Sequence, residues 1–443
     1  MKYKLFNGPD ILIVPLILLV LVMVLFAMKK KQPVAIQKYL FSGFWLRVAG
    51  TLLISALIEF YYTYGDTYYY YYNAQLLKSF MFTDPGAWFD VMFSNPEKGG
   101  DSVVKYLDYV GTFNDYSVNF FRNNENATVC KIGSLINLVC FDSSLAIALV
   151  FGLLSFLGCW YVFKTFVHFF PGYEKQFSRF CIFLPSLWFW GSGILKDPLC
   201  LFAMGLLVFN LFVKTGSRFR RIFAVCTGAF LLLNIKPYIL YSIVIAVIMG
   251  WVFFRFRRFN IISKILSIIS VIALLIASYA LITDFITQTF DNILLQSQSF
   301  IKNYEQISQE GDGGFIPTLD PSPAGLAKLA GQGLVNVFMR PFPWEVNKIL
   351  YIFLIIENLL IYYIIIKKVP QGPLDFHRNH RMLINFSLVF FIFLGLVVGV
   401  TTFNFGTIAR YRVPALPFLF AGIFALKLGK KSKRHLNLIP APG

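Results

Sequence analysis

The stretch Ile11-Leu-Ile-Val-Pro-Leu-Ile-Leu-Leu-Val-Leu-Val-Met-Val-Leu-Phe-Ala-Met28 carries no charged side chain, and three lysines follow it at once. A helix crosses the hydrocarbon core of a bilayer in about 20 residues, and a basic cluster beside such a run marks its cytoplasmic end. The run is too long for a signal-peptide core and lacks a small-residue cleavage site before Lys29, so it reads as a retained span. Similar runs recur outward from it. The chain of 443 residues is only 14% charged, which a soluble domain, at about 25%, would not be. The runs do not alternate apolar and polar residues, as the strands of an outer-membrane barrel would.

The fold class is therefore all-α: a polytopic α-helical membrane protein. The pattern predicts about eleven spans of the length a bilayer requires, at 11–28, 45–64, 143–167, 180–195, 198–213, 222–235, 238–254, 262–283, 347–366, 383–402 and 413–428. Residues 1–443 read as one integral membrane domain, with 1–44 an N-terminal span and cytoplasmic loop. A first external loop covers 65–142 and a second covers 284–346. The second has a Gly/Pro/Ser-rich tip, Glu310 to Pro323, which reads as a mobile loop. No loop is long enough to form a separate soluble domain, and no internal repeat is evident.

The net charge of +18 would suggest nucleic acid in a soluble protein. Here the basic residues cluster after alternate spans, which is the positive-inside pattern, so no nucleic-acid partner is expected. The clusters include Lys29–Lys31 with Lys38 and Arg47, Lys214 with Arg218, Arg220 and Arg221, and Lys430, Lys431, Lys433 and Arg434. They place the N-terminus outside and the C-terminus in the cytoplasm. Membrane lipid is the first partner this implies.

Asp66 is the leading candidate for chemistry. It stands in Tyr64-Gly-Asp-Thr-Tyr-Tyr-Tyr-Tyr-Tyr72, directly after the second span. A carboxylate there lies at the membrane–water boundary, and Tyr68 to Leu77 reads as an amphipathic aromatic stretch along the surface. The alternative is an aromatic belt beside a solvated acid, since Tyr is enriched at bilayer interfaces.

Basic residues occupy the short external turns, against the positive-inside bias. They are Lys196 in Gly191-Ser-Gly-Ile-Leu-Lys-Asp-Pro198, Lys236 in Asn234-Ile-Lys-Pro-Tyr238, Arg340 in Met339-Arg-Pro-Phe-Pro-Trp-Glu345, and Arg410 and Arg412 in Asn404–Pro414. Such side chains would suit the phosphate of a lipid carrier, with Arg offering a bidentate fork. The alternative for each is a long side chain snorkelling to headgroups. Pro414 favours a helix starting near Val413, which leaves 404–412 extended and lets Arg410 and Arg412 reach one phosphate.

Glu59 and Glu357 lie within apolar spans, where each could pair with a basic residue. Cys130 and Cys140 lie in the first external loop. They read equally as a disulfide in an oxidising compartment or as two free thiols on a short helix. No Cys or His spacing suggests zinc. Asn126-Ala-Thr128 matches the glycosylation acceptor pattern, which is short and often fortuitous.

The segment with Asp66, Tyr70, Ala74 and Leu77 resembles the first external loop of the GT-C superfamily, the polytopic glycosyltransferases that use polyprenyl-phosphate sugars. The stretch Arg410-Tyr-Arg-Val-Pro-Ala-Leu-Pro-Phe418 resembles an Arg-Tyr-x-x-Pro-x-x-Pro pattern near the end of many such enzymes. Trp190-Gly-Ser-Gly-Ile-Leu-Lys-Asp197 and Arg340-Pro-Phe-Pro343 also resemble stretches in inner-membrane proteins of Bacteroidetes-type bacteria. The superfamily often has two adjacent acids, whereas Thr67 follows Asp66 here. A second acid would come from Asp101, Asp108 or Asp197. The chain also has one span more at its N-terminus.

The resemblance implies a glycosyltransferase of the bacterial inner membrane, with its site facing the periplasm. A sugar on a polyprenyl-phosphate carrier would be the donor, and a glycan or lipid the acceptor. Asp66 would be the general base. Arg410, Arg412, Arg340, Lys196, Lys236 and Tyr70 would bind the substrate and its phosphate. No cofactor is certain from the resemblance; a divalent metal is possible but not implied, since only one acid, Asp66, is firmly placed. A polymerase or ligase of lipid-linked glycans, and a flippase for them, are the alternatives.

Overall fold

The structure, a computed structural model, describes residues 4–62, 65–256, 323–345, 352–368, 378–402 and 404–436. The regular elements among them are helices. They divide into two compact units, Met1–Leu240 and Tyr241–Gly443.

Among the described residues, five helical segments are long and apolar enough to cross a membrane: Asp10–Lys29, Val34–Tyr62, Ser144–Phe169, His380–Thr401 and Phe405–Leu426. The chain is thus α-helical, with several candidate membrane spans. The expectation of eleven is not met among the described residues. The expected span 262–283 and the loop tip Glu310–Pro323, apart from Pro323, lie outside them.

In the first unit, α1 (Asp10–Lys29), α2 (Val34–Leu57, continued by a π-helical turn Ile58–Tyr62) and α8 (Ser144–Phe169) pack together. α8 is the centre. It buries Phe151, Phe156, Trp160, Phe163 and Phe166, and it packs on α11 (Lys196–Phe212), which in turn packs on α12 (Arg218–Ile235). A Cβ on Gly158 of α8 would come within 2.1 Å of the Leu201 carbonyl oxygen, and one on Gly205 within 2.0 Å of the Gly158 carbonyl oxygen. Only glycine lets these backbones meet, the small-residue packing of membrane helices.

Three bonds set the ends of these helices at one level. Ser143, the N-cap of α8, donates its hydroxyl to Asp10 Oδ1 at 2.5 Å. Glu59 Oε2, in the last turn of the second segment, accepts from the Leu5 N–H at 2.9 Å, just ahead of α1. The Ser144 hydroxyl donates to the Leu5 carbonyl. So α1 and α8 begin where the α2 segment ends. Glu59 and Asp10 are consumed in making that level.

The expected span at 180–195 is two short pieces, α9 (Glu174–Cys181) and α10 (Pro185–Trp190), followed by an irregular turn to Lys196. Pro185 starts a new helix, and Gly193 takes φ +82°, open to glycine at little cost. Arg47 is not part of a cytoplasmic basic cluster either. It is buried in α2, where Nη1 donates to the Leu187 carbonyl at 2.7 Å and Nη2 contacts Cys159 Sγ at 3.2 Å. It satisfies the Leu187 carbonyl in the short α10.

Residues 66–140, expected as a loop, fold into five helices: α3 (Asp66–Thr83), α4 (Pro85–Phe93), α5 (Asp101–Gly111), α6 (Asp115–Arg122) and α7 (Asn124–Cys140). Local signals set them. Asp84 caps α4 by accepting from the Ala87 N–H with Pro85 at the first position, and Asn114 and Asn123 cap α6 and α7. The tyrosine run does not lie along the surface. Tyr68, Tyr70 and Tyr71 are buried, and Tyr70 meets Phe120 edge-on at 5.0 Å. Together with Phe80, Tyr106 and Phe121 they are the core of this layer. Burial is favourable only because the hydroxyls find partners.

α13 (Pro237–Phe256) spans the division between the units. The second unit contains α14 (Pro323–Met339), α15 (Ile352–Lys368), α16 (Arg378–Thr401), α17 (Phe405–Tyr411) and α18 (Leu416–Leu436). α14 and α16 approach closely at Gly333 and Gly399.

Candidate functional site

Asp66 opens α3 directly after Gly65, whose φ of +129° turns the chain away from the preceding segment. Its side chain is exposed and makes no hydrogen bond or ion pair among the described residues. The other described acids beside the candidate spans are committed. Asp10 and Glu59 hold the helix ends, Asp142 pairs with Lys78 at 2.5 Å, and Glu357 pairs with Arg412. Of these acids, Asp66 is the one without a side-chain partner among the described residues.

Tyr70 lies one helical turn on from Asp66, on the same face. Its hydroxyl donates to Asn126 Oδ1 at 3.0 Å, in the first turn of α7. The neighbouring Glu125 accepts from Lys196 at 2.7 Å, at the start of α11. Asp197, next along, accepts from Lys236 at 2.5 Å, just past the end of α12. Asn124 donates to Asn234 Oδ1 at 3.1 Å. Tyr70 and Lys196 therefore meet the first turn of α7, and Lys236 joins them only through Asp197, the neighbour of Lys196; Asp66 lies one turn from Tyr70 along α3. Glu125, Asn124 and Asn126 were not singled out in sequence as site residues. Only their position after the cap Asn123 could have pointed to them.

The convergence does not give the three the same role. Tyr70 and Lys236 are buried, and the Lys236–Asp197 pair is sealed on both sides. Neither can meet a substrate phosphate without unpacking, so their expected part in binding is corrected to a structural one. Lys196 is mostly covered, but its partner Glu125 is half-exposed.

The expected arginine pair also changes. Residues 405–411 are helical rather than extended, because Asn404 caps them by accepting from the Thr407 N–H at 3.1 Å. Arg410 lies in the last turn of α17, half-exposed, at 5.9 Å from the ring of Tyr411. Arg412 is buried. It donates to the Val337 carbonyl at 2.8 Å, Asn358 Oδ1 at 2.7 Å and Glu357 Oε2 at 2.9 Å. The two do not form one phosphate clamp. Arg340 pairs with Glu345 at 2.7 Å in the same unit.

Cys130 and Cys140 are free thiols ten residues apart on α7. The helical rise separates them by about 15 Å, beyond any disulfide. Burial raises both thiols, Cys140 up to about 12. Lys131, also on α7, is buried with a single hydrogen bond, to the Ser94 carbonyl at 2.7 Å, and burial lowers it to about 8. Among the described residues, no three His, Cys, Asp or Glu side chains gather as metal ligands would.

No protein-family model matches this chain, and no curated protein or solved structure is similar to it. The likeness to GT-C enzymes rests on the short motifs alone.

Proposed function

We propose that this protein is a membrane glycosyltransferase that moves a sugar from a polyprenyl-phosphate carrier to a glycan or lipid acceptor on the external, periplasmic face. The observation that carries the reading is Asp66: exposed, without a side-chain partner among the described residues, and placed where the α2 segment ends. A lipid-borne donor presents its phosphate and anomeric carbon at that depth.

Asp66 accepts the proton of the acceptor hydroxyl, whose oxygen forms the new bond to the anomeric carbon. The carbon–oxygen bond to the carrier breaks, and polyprenyl phosphate leaves with the electron pair. A base must stand within hydrogen-bond reach of that hydroxyl, which an exposed side chain permits. Lys196 exchanges Glu125 for the departing phosphate, whose charge grows in the transition state. Arg410 and Arg340 belong to the second unit and are given no part in this step. Arg412 and Lys236 hold the fold.

Reconstitution in liposomes with a radiolabelled polyprenyl-phosphate sugar tests this. Transfer of label to a soluble or lipid acceptor, with release of polyprenyl phosphate, supports the reading. Label that crosses the bilayer still attached to its carrier identifies a flippase. Growth of a lipid-linked chain without consumption of the monosaccharide donor identifies a polymerase or ligase.

A further inference from the structure

The layer formed by α3 to α7 leaves large apolar side chains uncovered along one connected edge. On α4 and just before it, Phe93 is 80% exposed and Phe82 74%, with Phe89 beside Phe93 at 4.9 Å between ring centroids. On the C-terminal half of α7, Val139 is 59% and Phe141 63% exposed, with Leu135 and Leu138 also open. The two sets adjoin. The Ser134 hydroxyl meets Met92 Sδ at 3.9 Å, and Lys131 Nζ donates to the Ser94 carbonyl. A connected apolar patch of this kind marks an interaction surface.

Its occupant follows from what it adjoins. Phe141 stands two residues before Ser143, which holds Asp10 at the start of α1. The next residues of α1, Ile11 and Leu12, are almost fully exposed, as in a helix that faces lipid. The edge of α4 and α7 is thus continuous with a lipid-facing surface, at the level where the candidate spans begin. Lys78, mostly covered and paired with Asp142, borders it.

We propose that α4 and the C-terminal half of α7 lie in the interface of the outer leaflet, with Phe82, Phe89, Phe93, Val139 and Phe141 immersed at the headgroup–acyl boundary. They form a ledge that seats the whole helical layer on the bilayer, as interfacial amphipathic helices do. The exposed positions of α5 are mostly charged, Asp101, Lys105 and Asp108 with Val104 among them, so this helix serves as the water-facing reference. The inference does not depend on the transfer reaction.

The test uses the full-length protein in phosphatidylcholine–phosphatidylglycerol liposomes, with Cys226 replaced by Ser, since Cys226 is the exposed native thiol among the described residues. Single cysteines in the variants Phe93→Cys, Val139→Cys and, as control, Asp108→Cys on α5 are labelled with an environment-sensitive fluorophore. Doxyl-labelled lipid should quench positions 93 and 139 several-fold more than 108, while aqueous iodide should favour 108. Equal lipid quenching at all three overturns the proposal. So does a blue-shifted label at 93 that lipid does not quench and that crosslinks between copies, since a second copy of the chain would then cover the patch. Phe89→Cys, on the same edge, provides a second reading should Phe93→Cys misfold.

Discussion

Lys236 Nζ lies 2.5 Å from Asp197 Oδ1, and both side chains are sealed from solvent. The pair joins the end of α12 to the start of α11. Removing one partner strands a buried charge, which costs about 3–5 kcal/mol. Lys236→Met should lower the unfolding midpoint in detergent steeply. Adding Asp197→Asn should recover part of the loss, since no uncompensated charge then remains. An unchanged midpoint for Lys236→Met would show that the pair is solvated.

Arg412 should prove structural. Its guanidinium reaches Val337, Asn358 and Glu357 from a buried position. A lysine cannot reproduce that fork. Arg412→Lys should destabilise by about 2–3 kcal/mol, the scale of lost hydrogen bonds to a charged group. Arg410→Lys should leave stability nearly unchanged. Comparing the thermal unfolding of the two variants checks this, and equal losses would contradict it.

Lys131 gives the layer a dependence on pH. Its folded value of about 8 lies below the ordinary 10.5 because of burial. Below both values each state holds the proton, and the native state bears the cost of the buried charge. Between them the unfolded chain keeps the proton that the native chain has released, so stability rises with pH in that window. Denaturant midpoints from pH 7 to pH 10 should show this rise in the wild type. It should shrink in Lys131→Met.

The two loop cysteines should behave as buried free thiols. In the folded protein at pH 8, iodoacetamide should leave Cys130 and Cys140 unmodified, because burial holds both as thiols. After unfolding without reductant, both should react fully. A mass that changes only after reduction would indicate a bridge and a different path for α7.

The sequence disclosed what depends on composition and local pattern. The run at Ile11–Met28 is uniformly apolar, that from Ser144 onward predominantly so, and both became long helices. Asp66 stood out because an acid just past a span is costly without a purpose. The tyrosine run was legible as aromatic but not as core. Period and propensity cannot say whether Tyr70 faces lipid or Phe120, since that depends on where α6 and α7 come to rest. Hydropathy overlooked the break at Pro185 because residues 180–195 carry no charged side chain on either side of it. The partners of Lys236 and Arg412 lie 39 and 55 residues away in the chain, so their burial could not be read locally. The helix at 405–411 was hidden by Pro414, which limits the residue before it but does not forbid a separate helix ending earlier.

The most direct test of the account is Asp66→Asn. The change keeps the size of an exposed side chain with no partner to lose among the described residues, so the variant should fold and insert as the wild type does. Transfer from a polyprenyl-phosphate sugar, measured in liposomes at matched protein levels, should fall by about 10² or more, the scale of a lost general base. Transfer near the wild-type rate from a folded Asp66→Asn protein would contradict the central claim.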